Sequence, residues 1–264
     1  MWNSIDGPPL VGVVHLKALP GAPGYQGSVP DILRAARQDA VTLVEAGFRR
    51  VIVENFGDVP FHAGSVPPET VAVMALALNE IRALDEGLEL GVNVLRNDAR
   101  AALALCAATG ASFLRVNVFV GAAVTDQGLI QGCAAKLVRE RARLAPGIKI
   151  LADVHVKHAA PLANTRIEDE ALDAIERGLA DAVIVSGAGT GGATSMDELQ
   201  RVADAVGRER VLVGSGATTE TLPEILRIAG GAIVGTATKQ DGDVSRPVEL
   251  ERCQALIRSA DSAR

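Results

Sequence analysis

Along this chain, short apolar runs rich in β-branched residues alternate with longer stretches whose apolar positions recur with helical spacing. The first pattern predicts strands buried on both faces, the second amphipathic helices. Strands are expected at residues 10–16, 50–54, 88–94, 113–118, 149–155, 182–186, 211–214 and 231–236. Helices are expected at 29–46, 67–84, 98–108, 133–144, 168–177 and 247–259, and between the last three strands. Gly47 stops the first helix, Pro67 and Glu69 mark the start of the second, and Asn97 or Asp98 caps the third. Residues 17–24 are too rich in Pro and Gly for either element. Eight strand-then-helix units in order predict an α/β fold, a single (β/α)8 (TIM) barrel over residues 1–264. The alternative is a doubly wound open sheet, whose dinucleotide loop would follow the first strand. That loop here has two prolines and no G-x-G-x-x-G.

The last three strands end in small residues: Ser186 and Gly187 to Gly192, then Gly214-Ser215-Gly216-Ala217, then Gly235-Thr236. Glycine lets backbone amides approach a ligand, and a following helix offers free N–H groups. These loops are therefore expected to cradle a phosphate, where many such barrels hold one. The candidates are Ser186, Gly187, Gly189, Gly214, Ser215, Gly216 and Thr236. The competing reading is that the glycines only make tight turns.

Length fits one barrel, since 264 residues lie near the roughly 250 typical of the fold. Hydrophobic residues make up 48%, enough for a large core supplied by aliphatic rather than aromatic side chains. A net charge of −6 with no basic run argues against nucleic acid as a partner. Cys106, Cys133 and Cys253 are odd in number and far apart, which suggests reduced thiols in an intracellular, cytoplasmic protein. No signal peptide and no integral membrane segment is expected. The long connection at 119–132 is a candidate lid, expected to be less ordered than the other loops without ligand.

In a barrel the C-terminal strand ends surround the site, and every second strand residue faces inward. That counting brings His15, Glu54, Asn93, Asn117 and Asp153 to one rim, followed by His155 and Lys157. Burying such groups without partners costs about 1–3 kcal/mol each, so the ring exceeds what packing needs. Glu54 and Asp153 are the acid/base candidates, with His15 or His155 to polarise an oxygen. Asn93, Asn117, Lys157 and Lys239 are candidates for binding substrate or phosphate. Each has a blander reading: Glu54 or Asp153 pairs with Arg115, the asparagines shape turns, and the lysines are solvated. No cofactor is expected. His15, Glu54, Asp153 and His155 have donors suited to a divalent metal, but no dedicated metal spacing is present.

Several stretches carry a family resemblance: Gly12-Val-Val-His-Leu-Lys-Ala-Leu-Pro-Gly21, Val53-Glu-Asn-Phe-Gly-Asp-Val-Pro-Phe61, Gly91-Val-Asn-Val-Leu95, Leu114-Arg-Val-Asn-Val-Phe-Val-Gly121 and Ala152-Asp-Val-His-Val-Lys157. With Val213-Gly-Ser-Gly216 and Lys239-Gln-Asp-Gly242, the chain resembles the BtpA/SgcQ family across nearly its whole length. The resemblance implies a ribulose-phosphate-binding type of barrel. It also implies a link either to photosystem I biogenesis, from which the family takes its name, or to sugar utilisation. It supplies no reaction and no list of site residues. The first functional expectation is an enzyme acting on a phosphorylated sugar or nucleotide-like metabolite by lyase, isomerase or epimerase chemistry. The alternatives are a non-catalytic assembly factor and a phosphometabolite sensor. A small phosphorylated substrate is the expected partner, and a homo-oligomer the expected assembly.

Overall fold

The computed structural model describes residues 9–187 and 194–263. Eight parallel strands close a barrel in the order β1 (Leu10–His15), β2 (Arg50–Glu54), β3 (Glu89–Asn93), β4 (Phe113–Val116), β7 (Lys149–Val154), β9 (Ala182–Val185), β10 (Val211–Val213) and β11 (Gly231–Val234), with β11 returning to β1. Their helices are α1 (Val29–Glu45), α2 (Pro68–Arg82), α3 (Ala99–Thr109), α4 (Ala134–Leu144), α5 (Ile167–Leu172), α6 (Met196–Val206), α7 (Leu222–Ile228) and α8 (Leu250–Asp261). The caps follow local chemistry. Ser28 Oγ accepts from Asp31 N, and Asp98 Oδ1 accepts from Ala101 N while Oδ2 takes Val66 N from the preceding loop. Beyond α5 the helix continues as a π-helical turn at Asp173–Arg177. Among the described residues no helix is long and apolar enough to cross a membrane.

The barrel is filled from inside by Val11, Val13, Ile52, Phe113, Leu151, Ile184, Leu212 and Ile233, while the outward strand residues pack against the helices. This apolar plug ends just below the C-terminal strand ends, so the next inward position on each strand floors an open mouth. Pairing of β11 with β1 closes the barrel, and a buried ion pair ties the first unit to the last. Lys239, 2% exposed, donates to Asp39 of α1 at 2.5 Å, and the other Asp39 oxygen accepts from Val248 N at 2.8 Å. The first helix is thereby pinned to the segment that enters the last.

The connection at 119–132, the candidate lid, carries regular structure of its own. Its alternating residues form a hairpin, β5 (Ala122–Thr125) with β6 (Gly128–Gln131), and β8 (Ala159–Pro161) adds a third antiparallel strand. Ala123 and Ile130 on its inner face pack on Val118 and Val156, which gives the stretch a small core of its own.

The fit inside the barrel leaves a measurable signature at Gly91. A Cβ there would come within 2.0 Å of the Phe113 ring, far below any real contact. Gly91→Ala should cost about 1–3 kcal/mol by overpacking. Phe113→Leu should restore part of the loss in the double variant, as measured by urea unfolding. Additive losses would show that the two positions do not share this space.

Candidate active site

The mouth of the barrel is a cavity of about 690 Å³, within the range usual for small-molecule sites. Its floor is built from β1, β2, β3 and β4, which contribute His15, Glu54, Asn93 and Arg115, with Asn117 directly after β4. One wall consists of the loops after β10 and β11, Gly214 to Glu220 and Gly235 to Ala237, with Arg252 of α8 behind them. The opposite wall holds Arg96 after β3 and Lys157 after β7. Phe56, Val59 and Phe61 after β2 and Asp126 at the hairpin tip line the rest.

A buried guanidinium organises the floor. Arg115 donates through Nε and Nη2 to the two oxygens of Asp153 at 3.0 and 2.9 Å, and through Nη1 to Glu54 Oε1 at 3.3 Å. Asn117 Nδ2 adds a bond of 2.6 Å to Asp153, and Asn93 Nδ2 one of 3.1 Å to Glu54 Oε1. Both oxygens of Asp153 are thus occupied, its side chain is 0% exposed, and it lies beneath the cavity surface. Glu54 lines the cavity, and its Oε2 takes no bond from the described residues. Burial disfavours the Glu54 charge, but Arg115, His15 and the Asn93 amide outweigh it and hold the carboxyl below the usual range. Burial also lowers Arg115, yet Asp153 and Glu54 more than compensate and raise it.

His15 sits over Phe56, ring centroids 4.5 Å apart, and burial lowers its pKa to about 4. It is therefore a neutral imidazole at pH 7, and among the described residues its buried Nδ1 has no partner. The same is true of Asn93 Oδ1, Asn117 Oδ1, Arg96 Nε and Ser186 Oγ. Buried polar atoms are nearly always satisfied, so this concentration around one mouth is the mark of groups that await a ligand. Burial lowers Lys157, with Arg115 adding repulsion.

In the loop after β10, Gly216 has φ +73, a left-handed conformation that disfavours any side chain. The amides of Gly216 and Ala217 make no bond with the described residues. Gly214 is glycine for space, because a Cβ would lie 2.5 Å from Ser186 Oγ and 3.4 Å from Arg115 Nη2. Glu220 is exposed at the same loop, lowered to about 2 by the hydroxyls of Thr218 and Thr219.

The structure thus gathers His15, Glu54, Asn93, Asn117, Lys157, Gly214, Ser215, Gly216 and Thr236 around one cavity. Ser186 lies just below it beside Gly214, and Gly187 N donates to Ser215 Oγ at 3.0 Å. Gly189 and the loop around it lie outside the described residues. Two candidates are elsewhere. At His155 the backbone leaves the strand with φ +44, so alternation fails. The ring instead lines a second cavity of about 250 Å³, near Thr165 O (3.0 Å) and Glu170 (3.6 Å). Lys239 is past the 3-10 turn Thr236–Thr238, which carries the chain behind the barrel to Asp39. The four donors named for a metal are accordingly not brought together, and among the described residues no group of three or more His, Cys, Asp or Glu could hold one. Arg96 and Arg252 were not anticipated. Arg96 stands directly before the helix cap at Asn97-Asp98, and Arg252 lies within a helix whose inward turn has no sequence mark.

Comparison with known proteins agrees with this architecture. The Thermococcus kodakarensis protein TK2179, itself uncharacterized, is 48% identical over 258 residues, 97% of this chain and 96% of its own. The photosystem I biogenesis protein BtpA of Synechocystis is 40% identical over 249 residues, 94% of this chain and 86% of its own. Among solved structures, phosphoribosyl anthranilate isomerase from Thermus thermophilus superposes with a TM-score of 0.58 at 13% identity, covering 97% of this chain and 99% of that one. KGPDC from Streptococcus mutans gives 0.59 at 12% identity, covering 97% and 98%. At such identities the likeness is one of fold. The BtpA family pattern matches residues 7–262, and this chain belongs to the BtpA family.

Proposed function

We propose that this protein is an enzyme that abstracts a proton beside the carbonyl of a small phosphorylated sugar or nucleotide-like metabolite, the step shared by lyases, isomerases and epimerases. The observation that carries the reading is the set of unpartnered buried polar atoms around a cavity with a carboxylate on its floor. Glu54 is the base, ionised at neutral pH and presenting Oε2 to the cavity. As it takes the proton, the electron pair moves onto the carbonyl oxygen, where neutral His15 donates a hydrogen bond. The phosphate lies against Ser215 to Ala217 and Thr236, with Arg252 supplying charge. Asp153 holds Arg115 and through it positions Glu54. Solved barrels of the same fold include an enzyme of a phosphoribosyl substrate, which is consistent with this use of the mouth.

A second reading, a non-catalytic biogenesis factor, has two supports. One is the name of the Synechocystis relative. The other is the exposed outer face of the hairpin sheet, where Val124, Leu129 and Leu162 are 49%, 52% and 63% exposed.

Thermal-shift screening against phosphosugars and nucleotides separates these readings. Glu54→Gln should keep the fold and ligand affinity but abolish turnover of the compound identified. Asp153→Asn should instead cost about 3 kcal/mol of stability, because it leaves Arg115 short of its partner. Full turnover in Glu54→Gln would remove the mechanism.

Phosphate binding is tested by titration calorimetry with inorganic phosphate. Arg252→Gln should weaken it about tenfold. Unchanged affinity would displace the phosphate from this wall.

His15 also sets a pH dependence of stability. Its pKa falls on folding from 6.5 to about 4, so between these values the unfolded chain binds a proton that the folded one does not. Its contribution is complete above pH 6.5 and is lost as pH falls towards 4, by up to about 3 kcal/mol. His15→Gln should flatten the decline in unfolding free energy over that window, and an unaltered slope would show that His15 titrates normally.

A further inference from the structure

We infer that the substrate carries a second anionic group, a carboxylate, and that Arg96 and Lys157 bind it across the mouth from the phosphate. This rests on the phosphate reading of the same cavity. The ring order fixes the opposition: β3 and β10 are separated by three strands in either direction, so the loop bearing Arg96 faces the loop of Ser215 to Ala217. A molecule held at both ends would span the floor, with its middle carbons over Glu54 and His15.

Arg96 is built for a ligand. It is only 4% exposed although it lines the cavity, and its Nη2 is spent on Lys157 O at 2.6 Å. Its Nε is buried with no partner among the described residues. The same bond fixes the backbone of Lys157, whose ammonium also lines the cavity and makes no bond with the described residues. The floor carboxylates answer these charges only in part: Glu54 and Asp153 are tied to Arg115, and their attraction for Arg96 and Lys157 is outweighed by burial. Asp126, the other carboxylate near this wall, is exposed at the hairpin tip and bonded by Gln127 Nε2 at 2.5 Å. Desolvation lowers both Arg96 and Lys157, as expected of cations held away from water without a full counter-charge. The guanidinium edge that bears the unpartnered Nε, with the Lys157 ammonium beside it, offers donors to the two coplanar oxygens of a carboxylate.

The test compares 6-phosphogluconate with glucitol 6-phosphate, which differ only in carboxylate against hydroxymethyl, alongside gluconate and inorganic phosphate, all by calorimetry. The wild-type protein should bind 6-phosphogluconate about tenfold or more tightly than glucitol 6-phosphate. Arg96→Gln and Lys157→Met should each reduce that ratio to about threefold or less and leave inorganic phosphate unchanged. Lys157→Met decides alone if the arginine variant fails to fold. Equal affinities in the wild type, or a preserved ratio in the variants, would overturn the carboxylate subsite and leave the phosphate reading standing. Gluconate binding that is lost in Arg96→Gln, with no binding of inorganic phosphate or glucitol 6-phosphate, would support the subsite and remove the phosphate. No binding of any of the four would overturn both.

Discussion

Arg115 carries a charge into the barrel, 4% exposed, and there meets Asp153 through two nitrogens and Glu54 through a third. Burial in this apolar enclosure opposes the charge of Glu54, and Arg115, with His15 and the Asn93 amide, more than offsets it. The pairing is of the kind whose rupture costs more than its formation gains. It therefore acts as a constraint on the site rather than as a large source of stability. It gives the carboxylates different fates. Asp153 has every oxygen engaged, whereas Glu54 keeps Oε2 towards the cavity.

The neighbouring structure accommodates this group. Gly214 leaves room beside Arg115 and Ser186 that a single methyl would close, and the plug from Val11 to Ile233 seals the floor from below. Water is thus excluded beneath the ion pair while the mouth remains open above it. The Asp39–Lys239 pair works at a different place, sealing the barrel where its first and last units meet. One buried pair lies at the cavity floor and the other at the seam, although Lys239 looked from the sequence like a rim residue.

The electrostatics of the mouth are graded from wall to wall. Neutral His15 and ionised Glu54 share the floor, unsatisfied cations stand on the β3 and β7 side, and backbone amides with Arg252 stand on the β10 and β11 side. A ligand with a reactive centre between two recognised ends suits such a layout better than a scaffold does, because a scaffold has no need to leave buried donors and acceptors unpaired. The exposed apolar face of the hairpin sheet is separate from this gradient and meets it only at Asp126.

The sequence by itself determined the barrel. Eight β-branched runs with intervening helical periods admit few packings, and strand alternation alone placed His15, Glu54, Asn93 and Asn117 inward, because a regular strand has only two faces. It also identified the ion pair with Arg115 as the rival to catalysis. Tertiary structure decided what alternation could not reach. His155 turned outward because one left-handed residue ends the regularity on which the counting depends. Lys239 left the rim because a 3-10 turn redirects the chain after β11. The segment 119–132 gained order from β8, more than thirty residues later in the chain, and no local pattern could announce that partner. Arg96 and Arg252 joined the site through loop and helix geometry, where direction is set by packing between distant elements rather than by residue spacing.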